Sequence, residues 1–154
     1  MNFDMVGPAI VLGLGAIGSA IGCAIGGMAS HAVMSRMDSN HGKFIGMAAL
    51  PSSQVIYSFI LMIVMADSIR AKTLSPLSGI AIGSSVGLAI MLSSIYQGKC
   101  AATGIQATAK RPAIYGKCFA ALGIVESFSL FAFVFALLLC LLYTSDAADE
   151  RSSV

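Results

Sequence analysis

Glu126 is the residue whose position most clearly calls for a chemical role. It is the one acidic or basic side chain in the apolar run over residues 118–142. About 20 apolar residues span the hydrocarbon core of a bilayer, so this run is typical of a transmembrane helix. An acid at that depth costs at least about 2.5–3.5 kcal/mol. We therefore predict that Glu126 has polar partners and carries an ion.

Polar side chains interrupt a second apolar stretch, over the segment LPSSQVIY at residues 50–57. Pro51 has no backbone N–H, so it is expected to kink the helix and to free a carbonyl in the turn before it. Ser53, Gln54 and Tyr57 follow at spacings that place them on one side of that turn. Freed carbonyls beside polar side chains form cation sites in membrane helices. A proline kink with incidental hydrogen bonds remains the open alternative.

The composition predicts an integral membrane protein. The chain is 57% hydrophobic and 10% charged, whereas soluble domains are about 25% charged. Four apolar stretches, at 6–33, 44–66, 77–96 and 118–142, are each long enough to cross a bilayer. We predict an all-α fold of four transmembrane helices with no active site of its own. The net charge of +2 and the scattered Lys and Arg argue against a nucleic-acid partner.

The two halves of the chain are copies of one helical hairpin. Two motifs recur between the halves: AIGSAIG at 16–22 becomes AIGSSVG at 81–87, and AAL at 48–50 reappears at 120–122. We predict a first hairpin over residues 1–70 and a second over residues 71–142. The register of the second motif places Gln54 opposite Glu126. A four-helix unit therefore has one acid at this position and one neutral amide.

Glycines form a smooth face on the first and third helices. Such a face lets neighbouring backbones approach closely where lipid supplies no hydrophobic drive. The residues predicted to pack in this way are Gly15, Gly18, Gly22, Gly26, Gly83 and Gly87.

Basic residues predict the orientation in the membrane. The connections after the first and third helices contain six, and the middle connection contains Arg70 and Lys72. Because cytoplasmic loops are enriched in Lys and Arg, we predict that the first and third connections are cytoplasmic and that both termini are outside. The six are Arg36, Lys43, Lys99, Lys110, Arg111 and Lys117.

The C-terminal segment does not match the rest of the chain. From residue 140 the sequence CLLYTSDAADE resembles the translation of a sequencing adapter, and the polar RSSV that follows has no membrane character. We predict that residues 140–154 are a non-native tail. A short polar tail that belongs to the protein is the alternative.

These motifs together resemble the proteolipid that forms the rotor ring of the V-type rotary ATPases, known as the K-type or c-type proteolipid, in its duplicated form. The resemblance covers residues 7–139 and is densest at 50–54, 96–112 and 125–127. It implies a closed ring of identical subunits in the bilayer, with helices one and three inside and helices two and four outside. Each copy would carry one ion past a stator membrane subunit, and the central stalk, at the cytoplasmic loops, would couple rotation to ATP hydrolysis or synthesis. The implied location is a bacterial plasma membrane.

The resemblance to the sodium-carrying bacterial members also implies a set of ion ligands. These are Glu126, Gln54, Ser53, Gln97 and the carbonyl of Leu50, with Tyr57 locking the glutamate. Ser53 departs from the usual Thr and lacks its methyl group, which leaves room for altered selectivity. Gln97 is expected at the end of the third helix. No organic cofactor is implied.

The transported ion is predicted from the number of oxygens. A proton needs one carboxylate, whereas a hard cation needs several oxygen ligands. We therefore favour Na⁺ and keep H⁺ as the alternative. A small multidrug–proton antiporter is a more distant possibility, but it would have its acid in the first helix and no tandem hairpins. A purely structural ring proteolipid would not need Ser53, Gln54 and Gln97 around an acid.

Overall fold

The fold consists of helices joined by short connections. The computed structural model describes the backbone of residues 3–152 and the side chains of residues 3–142. Over that part of the chain there is no strand, which confirms the all-α prediction. The helices are α1 (Val6–Met34), α2 (His41–Ala49), α3 (Ser53–Arg70), α4 (Pro76–Lys110) and α5 (Tyr115–Ser152), with 3₁₀ turns at Leu50–Ser52 and Pro112–Ile114. Most side chains of the predicted non-native tail, 140–154, lie outside the described residues.

Four helical segments are long and apolar enough to cross a membrane. They are Val6–Met34, His41–Arg70, Pro76–Lys110 and Pro112–Leu142, and an 18-residue stretch within each has a mean hydropathy of 2.0, 1.7, 1.7 and 2.5, respectively. The second segment joins α2 and α3 through a 3₁₀ turn. The chain is therefore an integral, multi-pass membrane protein.

The second membrane segment breaks at Pro51, where the sequence predicts a kink. α2 ends at Ala49, the turn Leu50–Ser52 has 3₁₀ geometry, and α3 begins at Ser53. Pro51 is buried. Because proline cannot donate to the carbonyl four residues earlier, the α-helical hydrogen bonds cannot continue through this turn.

α4 is much longer than the sequence predicts. The third apolar stretch ends at residue 96, and we expected Gln97 at the end of the third helix, which is wrong. The helix continues to Lys110, a length of 35 residues, or about 50 Å against a hydrocarbon core of about 30 Å. Residues 99–110 are too polar to be recognised as part of an apolar membrane stretch, yet their Ala, Lys and Gln residues favour helix. Gln97 therefore lies within a helix rather than at its end.

Close contact between helix backbones holds α1 against α4. A methyl group added at Gly18 would lie 2.6 Å from the Cα of Met91, and one added at Gly98 would lie 2.5 Å from the Cα of Gly22. Only glycine permits such an approach. The six glycines predicted to pack closely, Gly15, Gly18, Gly22, Gly26, Gly83 and Gly87, are all buried within this one chain. Their part in contacts between copies stays a prediction.

Two apolar clusters lie on either side of a polar layer. On α5 one cluster includes Leu122 and the other includes Phe133, so Glu126 falls between them. The same holds on the second membrane segment, where Ala48 and Leu61 belong to the two clusters and Gln54 lies between. Glu126 and Gln54 thus lie at a similar depth, with an apolar cluster above and another below.

Candidate ion-binding site

The carboxylate of Glu126 contacts three of the predicted residues. Its Oε1 accepts hydrogen bonds from the hydroxyl of Ser53 and from the hydroxyl of Tyr57, the latter at 3.0 Å. Its Oε2 accepts from Nε2 of Gln97 at 3.4 Å. Glu126 itself is half-buried on α5. The carboxylate is therefore held by one group from α4 and two from α3.

Gln54 reaches the site through Gln97. Its Nε2 donates to Oε1 of Gln97 at 2.8 Å, and both side chains are completely buried. Gln97 also donates to the carbonyl of Leu122 at 3.2 Å. No hydrogen bond joins Gln54 directly to Glu126 among the described side chains, although the internal repeat places them opposite each other. The amide of Gln97 lies between them in the hydrogen-bond chain.

The 3₁₀ turn brings a backbone oxygen to the site. The carbonyl of Leu50 accepts from Oγ of Ser53 at 2.9 Å, and the same hydroxyl contacts Glu126. The carbonyl and the carboxylate therefore share one hydroxyl neighbour. The Leu50 carbonyl belongs to the 3₁₀ turn at Pro51, and a serine hydroxyl that bonds the carbonyl three residues earlier is also usual in helices.

Tyr57 is positioned by an aromatic neighbour. Its ring stacks on Phe133 with 5.5 Å between the ring centroids. Stacking restricts the ring and directs its hydroxyl toward Oε1 of Glu126. Tyr57 therefore closes one side of the carboxylate, as a residue that locks the glutamate would.

Three serines that the sequence analysis did not select also bond the backbone around the site. Ser93 donates to the carbonyl of Val125 at 2.9 Å, and Ser94 donates to the carbonyl of Pro51 at 3.1 Å. Ser129 donates to the backbone carbonyl of Glu126 at 2.7 Å. For two of these serines the sequence did contain a signal, because Ser93, Ser94 and Gln97 lie within about one turn of an otherwise apolar helix.

The arrangement can bind a small hard cation. The carboxylate of Glu126 contacts a hydroxyl that also bonds a backbone carbonyl, and the amides of Gln97 and Gln54 follow in the hydrogen-bond chain. Among the described residues, Oε1 of Gln54 is buried and has no hydrogen-bond partner, and leaving a buried acceptor unpaired costs about 1–3 kcal/mol. A cation bound at the carboxylate would neutralise its charge. The neighbouring side chains of Ile124 and Phe128 are 65% and 67% exposed, so the site lies close to the outer apolar face of α5.

The chain is similar to proteins of rotary ATPases. Residues 6–65 and 80–139 each match the family described as the C subunit of ATP synthase. The chain is 33% identical over 134 residues to the A-type ATP synthase subunit K of Methanocaldococcus jannaschii, covering 87% of this chain and 60% of that protein. It is 32% identical over 146 residues to the V-type sodium ATPase subunit K of Enterococcus hirae, covering 92% of each. The chain thus spans less than two thirds of the length of the first relative.

Proposed function

We propose, since this chain belongs to the ATP synthase C-subunit family, that it is an ion-carrying rotor subunit of a V/A-type ATPase. Proteins of this family form a ring within the ATPase complex. The observation that carries the proposal is the convergence of Ser53, Tyr57 and Gln97 on the carboxylate of Glu126. The division into hairpins over 1–70 and 71–142 belongs to the same proposal and is supported by the two matches to one family.

Na⁺ is the ion that the chemistry of the site favours. The ligands would be the carboxylate of Glu126, the hydroxyl of Ser53, the carbonyl of Leu50 and the amide oxygens of Gln54 and Gln97. Oε1 of Gln54 is buried and unpaired among the described residues, so it is available as one of these ligands. The relative from Enterococcus hirae is named a sodium ATPase subunit, which agrees with the choice of Na⁺.

H⁺ is the second candidate. The hydrogen bonds from Ser53, Tyr57 and Gln97 already give the carboxylate three donors without a cation. A site that needs only one exchangeable proton could work with this arrangement, and the amide of Gln54 would then have a packing role.

In either case the carried ion has the same physical task. A bare carboxylate facing lipid is costly, and a bound cation removes its charge while the rotor turns through the bilayer. A positive group on the stator membrane subunit would displace the ion where the ring meets it. The proposed orientation puts the first and third connections in the cytoplasm, where the central stalk would contact the ring.

The experiment that separates the two ions is carbodiimide labelling of Glu126 in membranes containing the assembled ring. Carbodiimides react with a protonated carboxyl, so bound Na⁺ should slow labelling. We expect half-protection at millimolar Na⁺, no effect of K⁺, and no labelling of Glu126→Gln. Labelling that is indifferent to Na⁺ while still requiring Glu126 would favour H⁺.

A further inference from the structure

Ser93 and Ser94 differ from three other hydroxyl-bearing residues of α4. Ser84, Ser85 and Thr103 donate to carbonyls three or four residues earlier in their own helix, which is the usual pattern for such residues in helices. Ser93 and Ser94 instead donate to carbonyls of other segments. Ser94 is completely buried, and Ser93 is 9% exposed.

The two carbonyls that they bind lie next to the ion ligands. Ser94 binds the carbonyl of Pro51, within the turn that also carries the carbonyl of Leu50. Ser93 binds the carbonyl of Val125, the residue before Glu126. Two adjacent residues of α4 therefore join the backbone of α5, which carries the carboxylate of Glu126, to the backbone of the 3₁₀ turn, which carries the carbonyl of Leu50.

Packing behind the turn adds to this constraint. A methyl group at Gly22 of α1 would lie 2.8 Å from Cβ of Pro51, and it would also collide with the carbonyl of Ser94. α1 therefore closes the space behind the turn. The turn is held between α1 and α4, and its distance from α5 depends on how α4 binds both.

From this geometry we infer that Ser93 and Ser94 are positioning residues that fix the spacing between the Leu50–Ser52 turn and Glu126 and thereby determine the preference of the site for Na⁺ over H⁺. Neither hydroxyl bonds the carboxylate or the amides, so their effect is exerted through the backbone. A cation needs all its oxygens at one distance, whereas protonation needs only the carboxyl. The inference rests on the proposed function and adds the residues that set its selectivity.

The test compares Ser94→Ala with Ser85→Ala, which removes a hydroxyl from the same helix that bonds only its own backbone. In assembled rings, the Na⁺ concentration that half-protects Glu126 from carbodiimide should rise about three- to tenfold in Ser94→Ala, the range expected for one lost hydrogen bond. It should not change in Ser85→Ala. The pH profile of labelling without Na⁺ should match that of the unaltered ring, and Ser94→Thr, which keeps the donor, should restore protection.

Each result has a defined meaning. Protection that is equally strong in Ser94→Ala and the unaltered ring would overturn the inference alone. If the pH profile of labelling in Ser94→Ala shifts as much as the Na⁺ protection does, Ser94 has a general packing role and the inference is also overturned. An unaltered ring that is indifferent to Na⁺ would overturn the sodium assignment together with this inference. If Ser94→Ala does not assemble, Ser93→Ala is tested instead, because it removes the hydrogen bond from α4 to the carbonyl of Val125 on α5. We again expect weaker Na⁺ protection and an unchanged pH profile of labelling.

Discussion

Gln54 and Gln97 form a completely buried amide pair, in which Nε2 of Gln54 donates to Oε1 of Gln97 at 2.8 Å. The pair joins the second membrane segment to α4 at the depth of Glu126. Its free acceptor, Oε1 of Gln54, has no partner in the part of the chain that the structure describes. Because buried polar groups are nearly always hydrogen-bonded, this oxygen is available to a further partner, and the proposed cation is one such partner.

Glu126→Gln should abolish ion transport but leave the ring assembled. Glutamine keeps the shape of the side chain and can still bond Ser53 and Tyr57, but it has no charge with which to exchange an ion. ATP-driven ion uptake into vesicles containing the whole complex would measure the loss, and the mobility of the ring in a mild detergent would measure assembly. Coupled transport by the variant would refute the role of Glu126.

Ser53→Ala should weaken Na⁺ binding without removing transport at high Na⁺. The substitution deletes the hydroxyl that contacts both Glu126 and the carbonyl of Leu50, and we expect a loss of about 1–2 kcal/mol in binding. The measurement is the Na⁺ concentration that gives half-maximal transport. The matched control is Ser127→Ala, whose hydroxyl bonds only the carbonyl of Ile124 in its own helix. Equal effects of the two variants would contradict a ligand role for Ser53.

Tyr57→Phe should remove one hydrogen bond to the carboxylate of Glu126 while keeping the stacking of the aromatic side chain on Phe133. Phenylalanine can still stack on Phe133 but cannot donate to Glu126. We expect Na⁺ to bind about two- to tenfold more weakly and bound ²²Na⁺ to exchange faster from isolated rings. Tyr115→Phe, whose ring packs near Phe119, is the control. An unchanged exchange rate in Tyr57→Phe would show that Tyr57 does not lock the site.

The orientation can be tested with single cysteines in the exposed connections. Ser39→Cys lies between α1 and α2, and Ala71→Cys lies between α3 and α4. If the excess of basic residues sets the topology, a membrane-impermeant maleimide will label position 39 from the cytoplasmic side and position 71 from outside. The unaltered chain measures labelling of the native cysteines. The reverse pattern would invert the proposed orientation.

The sequence predicted the helical content, because long apolar runs are strong signals in a membrane protein. The grouping of Gln97 and Tyr57 with Glu126 was predicted from the family resemblance. The sequence could not predict the length of α4, since the end of that helix is not apolar. It also missed Ser93 and Ser94, because serine in a membrane helix most often bonds its own backbone. Only the packing of α4 against the broken segment and α5 gives those hydroxyls other partners.

The close contact between α1 and α4 predicts opposite effects for two identical substitutions on one helix. Gly22→Ala would place a methyl group 2.8 Å from Cβ of Pro51 and against the carbonyl of Ser94. A methyl group at Gly27 would have no neighbour within 4 Å among the described residues. Overpacking at Gly22 should cost about 1–3 kcal/mol, while alanine at position 27 should gain up to about 1 kcal/mol from its higher helix propensity. Thermal dissociation of the purified ring would measure both. Equal stability of the two variants would mean that α1 does not hold the turn at Pro51 in place.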